Sequence, residues 1–110
     1  AVAGLTVSGF PMDRFCFEGF MPVKSSARCR RLADLAGETR TMIFYESPHR
    51  LVKTLKDIEE VLGDPDTAVA RELTKAFEEV KTGKASEVRA YFSRKPVKGE
   101  IVLLVNLKQQ

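Results

Sequence analysis

Residues 41–62 read TMIFYESPHRLVKTLKDIEEVL, and the change of pattern midway decides the fold class. Thr41 to Tyr45 is a short apolar, partly β-branched run that predicts a buried strand. Glu46, Ser47 and Pro48 break the run, and Ser47 before Pro48 has the form of a helix N-cap followed by proline at the first helical position. From there Leu51, Leu55, Ile58 and Leu62 recur at spacings of four, three and four, one stripe of a helix. Lys53, Lys56, Asp57, Glu59 and Glu60 are expected largely away from that stripe. A strand that hands over directly to an amphipathic helix is the building unit of α/β domains.

Working outward, the same alternation continues on both sides. Upstream, Arg14 to Phe20 predicts a strand with Phe15, Phe17 and Gly19 on one face and Cys16, Glu18 and Phe20 on the other. Ser25 or Ser26 is placed to cap a helix running to about Ala36, with Leu32, Leu35 and Ala36 inward and Arg28, Arg31 and Asp34 toward solvent. Gly37 closes it. Downstream, Gly63 to Asp66 forms a turn and Thr67 to Leu73 a further strand. Phe77 to Thr82 is another strand and Gly83 a turn, and Ser86 caps a short helix that buries Val88 and Phe92. Ile101 to Val105 is the most hydrophobic run; without alternation it predicts a strand covered on both faces. The expected fold class is α/β, a mixed sheet of about five strands flanked by helices.

A chain of 110 residues that is 44% hydrophobic and 30% charged has enough material for one core. The two cysteines and the single histidine offer no spacing for a four-ligand zinc site, so no metal is expected. No apolar window approaches the length of a membrane span and no basic stretch with a following apolar region opens the chain, which predicts a cytoplasmic protein. The net charge of +3 is small, but it is unevenly spread. Residues 1–55 carry +3, residues 56–79 carry −5 and residues 80–110 carry +5. Lys24, Arg28, Arg30 and Arg31 fall together without an intervening acid, and Arg94, Lys95 and Lys98 form a second basic group; either is suited to phosphate or simply to a solvated face.

Ligands of open α/β sheets are found beyond the carboxyl ends of strands. Three predicted strand ends carry reactive chemistry: Gly19 to Pro22, Tyr45 to Arg50, and Arg71 to Lys75. Glu46, Ser47, His49 and Arg50 bring a carboxylate, a hydroxyl, an imidazole and a guanidinium to one helix start, where backbone N–H groups also favour an anion. A cap with a local ion pair would explain the same residues. No glycine-flanked serine elbow, phosphate-binding loop or dinucleotide glycine fingerprint occurs, so this stretch of chain does not by itself make a complete nucleotide site.

FCFEGFMP at 15–22, IFYESPHR at 43–50, AVARELTK at 68–75 and KGEIVLLV at 98–105 together resemble the second domain of the bacterial small-subunit ribosomal RNA methyltransferase I family, a branch of the tetrapyrrole methylase superfamily. The resemblance spans almost the whole chain. It implies transfer of a methyl group from S-adenosylmethionine to the ribose 2′-hydroxyl of a cytidine in small-subunit (16S) ribosomal RNA. It also implies a cofactor shared with an N-terminal domain that carries the glycine-rich loop, so that residues 1–10 end an interdomain linking helix and 11–110 form the C-terminal α/β domain, which would be inactive alone. Phe44, Tyr45 and Glu46, with Arg71, Glu72, Leu73 and Thr74, become expected cofactor walls. Glu46 and Glu72 are candidate bases with His49 behind them. Lys24, Arg28, Arg30, Arg31, Arg50 and Lys75 are candidate RNA contacts, and Phe10, Phe20 or Tyr45 could stack a base. The superfamily's habit of dimerising makes Phe10, Met12 and Phe20 candidates for a subunit contact. Two other readings remain open on sequence: a non-catalytic RNA-binding module, and a methylase acting on a tetrapyrrole.

Overall fold

The computed structural model describes residue 10 and residues 14–72, 78–95 and 98–107, with the side chains of residues 72 and 78 left out. The expected α/β class is what forms. The strands are β1 (Phe15–Phe20), β2 (Thr41–Glu46), β3 (Asp66–Glu72), β4 (Glu78–Lys84) and β5 (Ile101–Asn106). The helices are α1 (Ser25–Asp34), α2 (Leu51–Leu62) and α3 (Ala85–Arg94), with one 3-10 turn at Pro48–Arg50 ahead of α2.

The five strands make one sheet in the order β1-β2-β5-β3-β4. β1 and β2 are parallel, as a strand–helix–strand unit requires, and β5 enters between β2 and β3 antiparallel to both. Its central place explains the unbroken apolar run: Ile101, Leu103 and Val105 are sealed against the helices while Leu104 is sealed on the opposite face. The helices pack Leu32, Leu51, Leu55, Ile58, Val88 and Phe92 onto Met42, Phe44, Val69 and Leu103. Ile43, Ala68, Ala70 and Leu104 line the other face, with Phe10, Val80 and Val102 packed against them. All the helices among the described residues are thus on one side of the sheet.

Several local expectations are corrected. β1 does not alternate throughout: the register runs Phe17 to Ile43 and then Gly19 to Phe44, so Glu18 is an extra residue in a bulge and Gly19 turns to φ +82°. The bulge brings Phe20 to the same side as Phe17, where both rings meet Tyr45 at centroid distances of 5.2 and 5.1 Å. α1 ends at Asp34, Ala36 is exposed, and neither Ser25 nor Ser26 caps it, since Lys24 holds that position without a side-chain bond. Arg28 and Asp57, both expected in solvent, are buried against each other. Gly83 is a strand residue opposite Thr67 rather than a turn. Ser86 sits inside α3, where its N–H and hydroxyl donate to Asp64 at 2.7 and 2.6 Å, while the Glu87 carboxylate accepts the Lys84 N–H at the helix start. The predicted strand starts at Phe77, and β3 was predicted to reach Leu73; both residues lie outside those described.

Candidate functional site

Because β1 is parallel to β2 and β5 is antiparallel to both β2 and β3, one rim of the sheet collects the carboxyl ends of β1, β2 and β3. Glu46 pairs with Ile101, and Ile101 pairs with Arg71, so the two reactive strand ends are separated by one strand only. That is about 9–10 Å between backbones. Two segments far apart in sequence therefore share a rim, as a common site demands.

At the β2 end, the Glu46 carboxylate is buried, at 3% exposure, and its oxygens are occupied. Ser47 N–H donates to Oε1 at 2.7 Å and Thr54 Oγ1 to Oε2 at 2.5 Å, and Arg50 Nε lies 3.4 Å from Oε1. The strand end is thereby tied to the second turn of α2. Ser47 does not cap the helix with its side chain; its Oγ accepts Arg50 Nη2 at 2.7 Å. Arg50 Nη1 faces His49 Nε2 at 3.2 Å, and because a guanidinium only donates, Nε2 is the acceptor. His49 itself is exposed. Thr54 was not singled out from the sequence, although a hydroxyl inside an apolar helical stripe is the usual sign of a hidden acceptor.

Phe44 and Tyr45 point to opposite faces. The Phe44 ring is fully buried among the helices, so only its backbone is available to a ligand at the rim. Tyr45 is half-buried on the side away from the helices, beside Phe17 and Phe20, which are 52% and 66% exposed.

At the β3 end, Arg71 Nη2 lies 2.6 Å from Glu79 Oε1, across the β3–β4 ladder. The Lys95 ammonium donates to the other Glu79 oxygen at 3.0 Å and, with Arg71, holds that carboxyl below the usual carboxylate range. Arg71 is therefore committed to a protein partner. Glu72 ends β3 on the rim, and Leu73, Thr74 and Lys75 lie outside the described residues.

Of the expected RNA contacts, Lys24 and Arg30 are exposed. Arg31 Nη2 bonds the Glu18 backbone oxygen at 2.6 Å and its carboxylate at 3.1 Å, which pins α1 to the bulge of β1. Arg28 donates through Nε to Asp57 at 2.9 Å and through Nη1 to the carbonyls of Pro22 and Val23, at 3.2 and 2.6 Å. Burial pushes the Cys16 thiol up to about 11, so at neutral pH it is protonated and a poor nucleophile. Among the described residues no His, Cys, Asp and Glu side chains gather in a way that could hold a metal ion, and no helix is long and apolar enough to cross a membrane.

Comparison with known proteins gives this geometry a setting. The family model described as tetrapyrrole (corrin/porphyrin) methylases matches residues 1–89. A protein of Pasteurella multocida named ribosomal RNA small subunit methyltransferase I is 48% identical over 111 residues, covering 98% of this chain and 40% of its own length. A protein of the same name from Thermotoga maritima is 43% identical over 107 residues, covering 97% of this chain and 48% of its own. The chain thus spans less than half of these relatives. Among solved structures, the methyltransferase CobJ superposes with a TM-score of 0.66 at 19% identity over 96% of this chain and 46% of its own. A diphthine synthase does so at 0.65 and 10% identity, over 94% of this chain and 44% of its own. At those identities the structural likeness concerns the fold alone.

Proposed function

We propose, from the premise that this chain belongs to the tetrapyrrole (corrin/porphyrin) methylase family, that it is the C-terminal domain of an S-adenosylmethionine-dependent methyltransferase acting on the ribose 2′-hydroxyl of a cytidine in small-subunit ribosomal RNA. The observation that carries this reading is the 48% identity, over nearly the whole chain, to a protein named for that RNA; the methyltransferase CobJ and the diphthine synthase share the fold at 19% and 10%. A non-catalytic RNA-binding module and a tetrapyrrole methylase are correspondingly less favoured. An RNA substrate of the small subunit places the protein in the cytoplasm. The remaining length of the relatives leaves room for the N-terminal domain that would complete the cofactor site.

S-adenosylmethionine, when bound, supplies a methyl group already activated by its sulfonium. This chain's share is alignment and the handling of one proton. The residues available to hold the cofactor are the rim backbone at 44–46 and 71–72 and the Tyr45 ring; the Phe44 side chain does not fit that role, because it is sealed in the core. A base that takes the hydroxyl proton contributes about 10²- to 10⁴-fold. We assign that role first to Glu72, with His49 as the exposed alternative; Glu46, saturated by Ser47, Thr54 and Arg50, is better suited to fixing the turn that presents His49 and Arg50.

The test is methylation by the full-length protein with methyl-labelled cofactor. Label is expected in small-subunit RNA, recovered as 2′-O-methylcytidine, and not in a tetrapyrrole acceptor; the reverse outcome overturns the reading. For the residues, Glu72→Gln is expected to slow single-turnover transfer by about 10²-fold or more. If Glu72→Gln, Glu46→Gln and His49→Ala all leave that rate unchanged, the base does not come from this domain.

A further inference from the structure

The groove between α1 and α2 contains a cavity of about 280 Å³, lined by Ser25, Arg28, Lys53, Lys56, Asp57 and Glu60. Its floor is a buried ion pair. Arg28 is 2% exposed, yet only two of its three guanidinium nitrogens are engaged: Nε by Asp57 and Nη1 by the Pro22 and Val23 carbonyls. Among the described residues Nη2 has no protein acceptor, and Arg28 lines the cavity. Lys53 and Lys56 are exposed on the α2 side, and among the described residues neither has a carboxylate at ion-pair distance. Against three cations stand Asp57, already matched by Arg28 and by the Ser25 hydroxyl at 3.0 Å, and the exposed Glu60. Among the described residues one positive charge is left over, together with three sets of free donors and no unpaired carboxylate beyond Glu60. An anion with several acceptor oxygens satisfies that set.

The position narrows the anion further. The same guanidinium grips the carbonyls of Pro22 and Val23, the second and third residues after β1, on the rim that collects the candidate site. The cavity therefore flanks the rim on its helical side, and exposed Lys24 follows Val23 directly in the chain. We propose that this cavity seats a backbone phosphate of the RNA strand beside the target nucleotide, with Arg28 Nη2, Lys53 and Lys56 as its donors. The proposal rests on the RNA substrate of the preceding section and adds to it a residue set on α2 that the basic run of α1 does not contain. A contact of this kind is blind to sequence, fixes the register of the strand, and weakens as salt rises.

The test compares full-length protein with its Lys53→Gln/Lys56→Gln variant, titrating a small-subunit ribosomal RNA transcript at several salt concentrations. Loss of one phosphate contact is expected to weaken binding about tenfold near 0.1 M salt and to flatten the slope of log K against log salt by about 0.7–0.9. The Lys53→Arg/Lys56→Arg variant is expected to restore both, and calorimetry with S-adenosylmethionine should give the same affinity for all three proteins. RNA affinity and slope unmoved in the glutamine variant overturn the proposal. So does inorganic phosphate that saturates the cavity while the RNA slope stays the same, which would make it a site for a free anion. Failure of the unsubstituted protein to bind the transcript at all overturns the RNA substrate itself and is distinguishable from both.

Discussion

Helix α2 is tied to α1 by Arg28 and Asp57 and to α3 by Arg89 and Glu59, at 2.9 and 2.7 Å. The chemistry of the two seams is the same, a guanidinium on the neighbour and a carboxylate on α2. Water separates them. The first pair retains 3% and 9% side-chain exposure, the second 34% and 29%. A buried pair has given up its hydration and depends on each partner for compensation, whereas a half-exposed pair gains little beyond what solvent would supply. The α1–α2 seam is thus the one whose charges are structurally committed, and it is also the seam that lies against the candidate site.

The largest effect should come from breaking the committed pair on one side. Asp57→Ala leaves Arg28 buried beside no carboxylate and is expected to cost about 3–5 kcal/mol in chemical denaturation. Replacing both, as Arg28→Met with Asp57→Leu, should recover most of that loss. Recovery would show that the single-variant penalty is stranded charge rather than lost attraction. Next comes the glycine that ends the shared helix: Gly63 sits at φ +78°, so Gly63→Ala should destabilise by about 1–2 kcal/mol and leave both seams equally intact. At the open seam, Glu59→Ala is expected to cost less than about 1 kcal/mol, an effect that 1 M salt should erase. A loss as large as that of Asp57→Ala would abolish the distinction drawn between the seams.

The smallest effect concerns a local pair outside both seams, Glu38 with the exposed Arg40. Hydrogen bonds from the Arg40 side chain and backbone hold the Glu38 carboxyl down to about 2. A folded-state value below the unfolded one means the contribution is complete above the ordinary carboxylate range and disappears as pH falls through about 2. Carbon-detected titration of Glu38 should place its midpoint near there; a midpoint at the ordinary 4.5 would dissolve the pair.

What was legible in the sequence is what depends on local period. The 51–62 stripe and the apolar run at 101–105 formed where expected, because burial of one helical face or of both strand faces leaves a direct mark on residue order. Arg28 was misread as solvated even though it stands one turn before Leu32 on the same face, and Asp57 sits next to Ile58; a charge inside an apolar stripe was the available signal. The bulge at Glu18 left no such signal beyond Gly19, since a one-residue slip looks like alternation until the partner strand is known. That the ends of β2 and β3 belong to one site is implied by the family resemblance; the strand order that brings them to one rim is not legible in the residues. That Glu46 would be saturated and Arg71 already paired depends on Thr54 and Glu79, residues 8 positions away from each in the sequence and brought close only by the fold.

The placement of β5 sets a timetable for manufacture. During translation β1 and β2 emerge early and β3 and β4 follow, yet in the finished sheet these are two detached ribbons, joined only through a strand encoded near the end of this stretch. Two-stranded ribbons are marginal in water. Until residues 101–106 have cleared the exit tunnel, neither half can lock, and the helices have half a floor on which to settle. A nascent chain halted before that point leaves one edge each of β2 and β3 without the strand that pairs them.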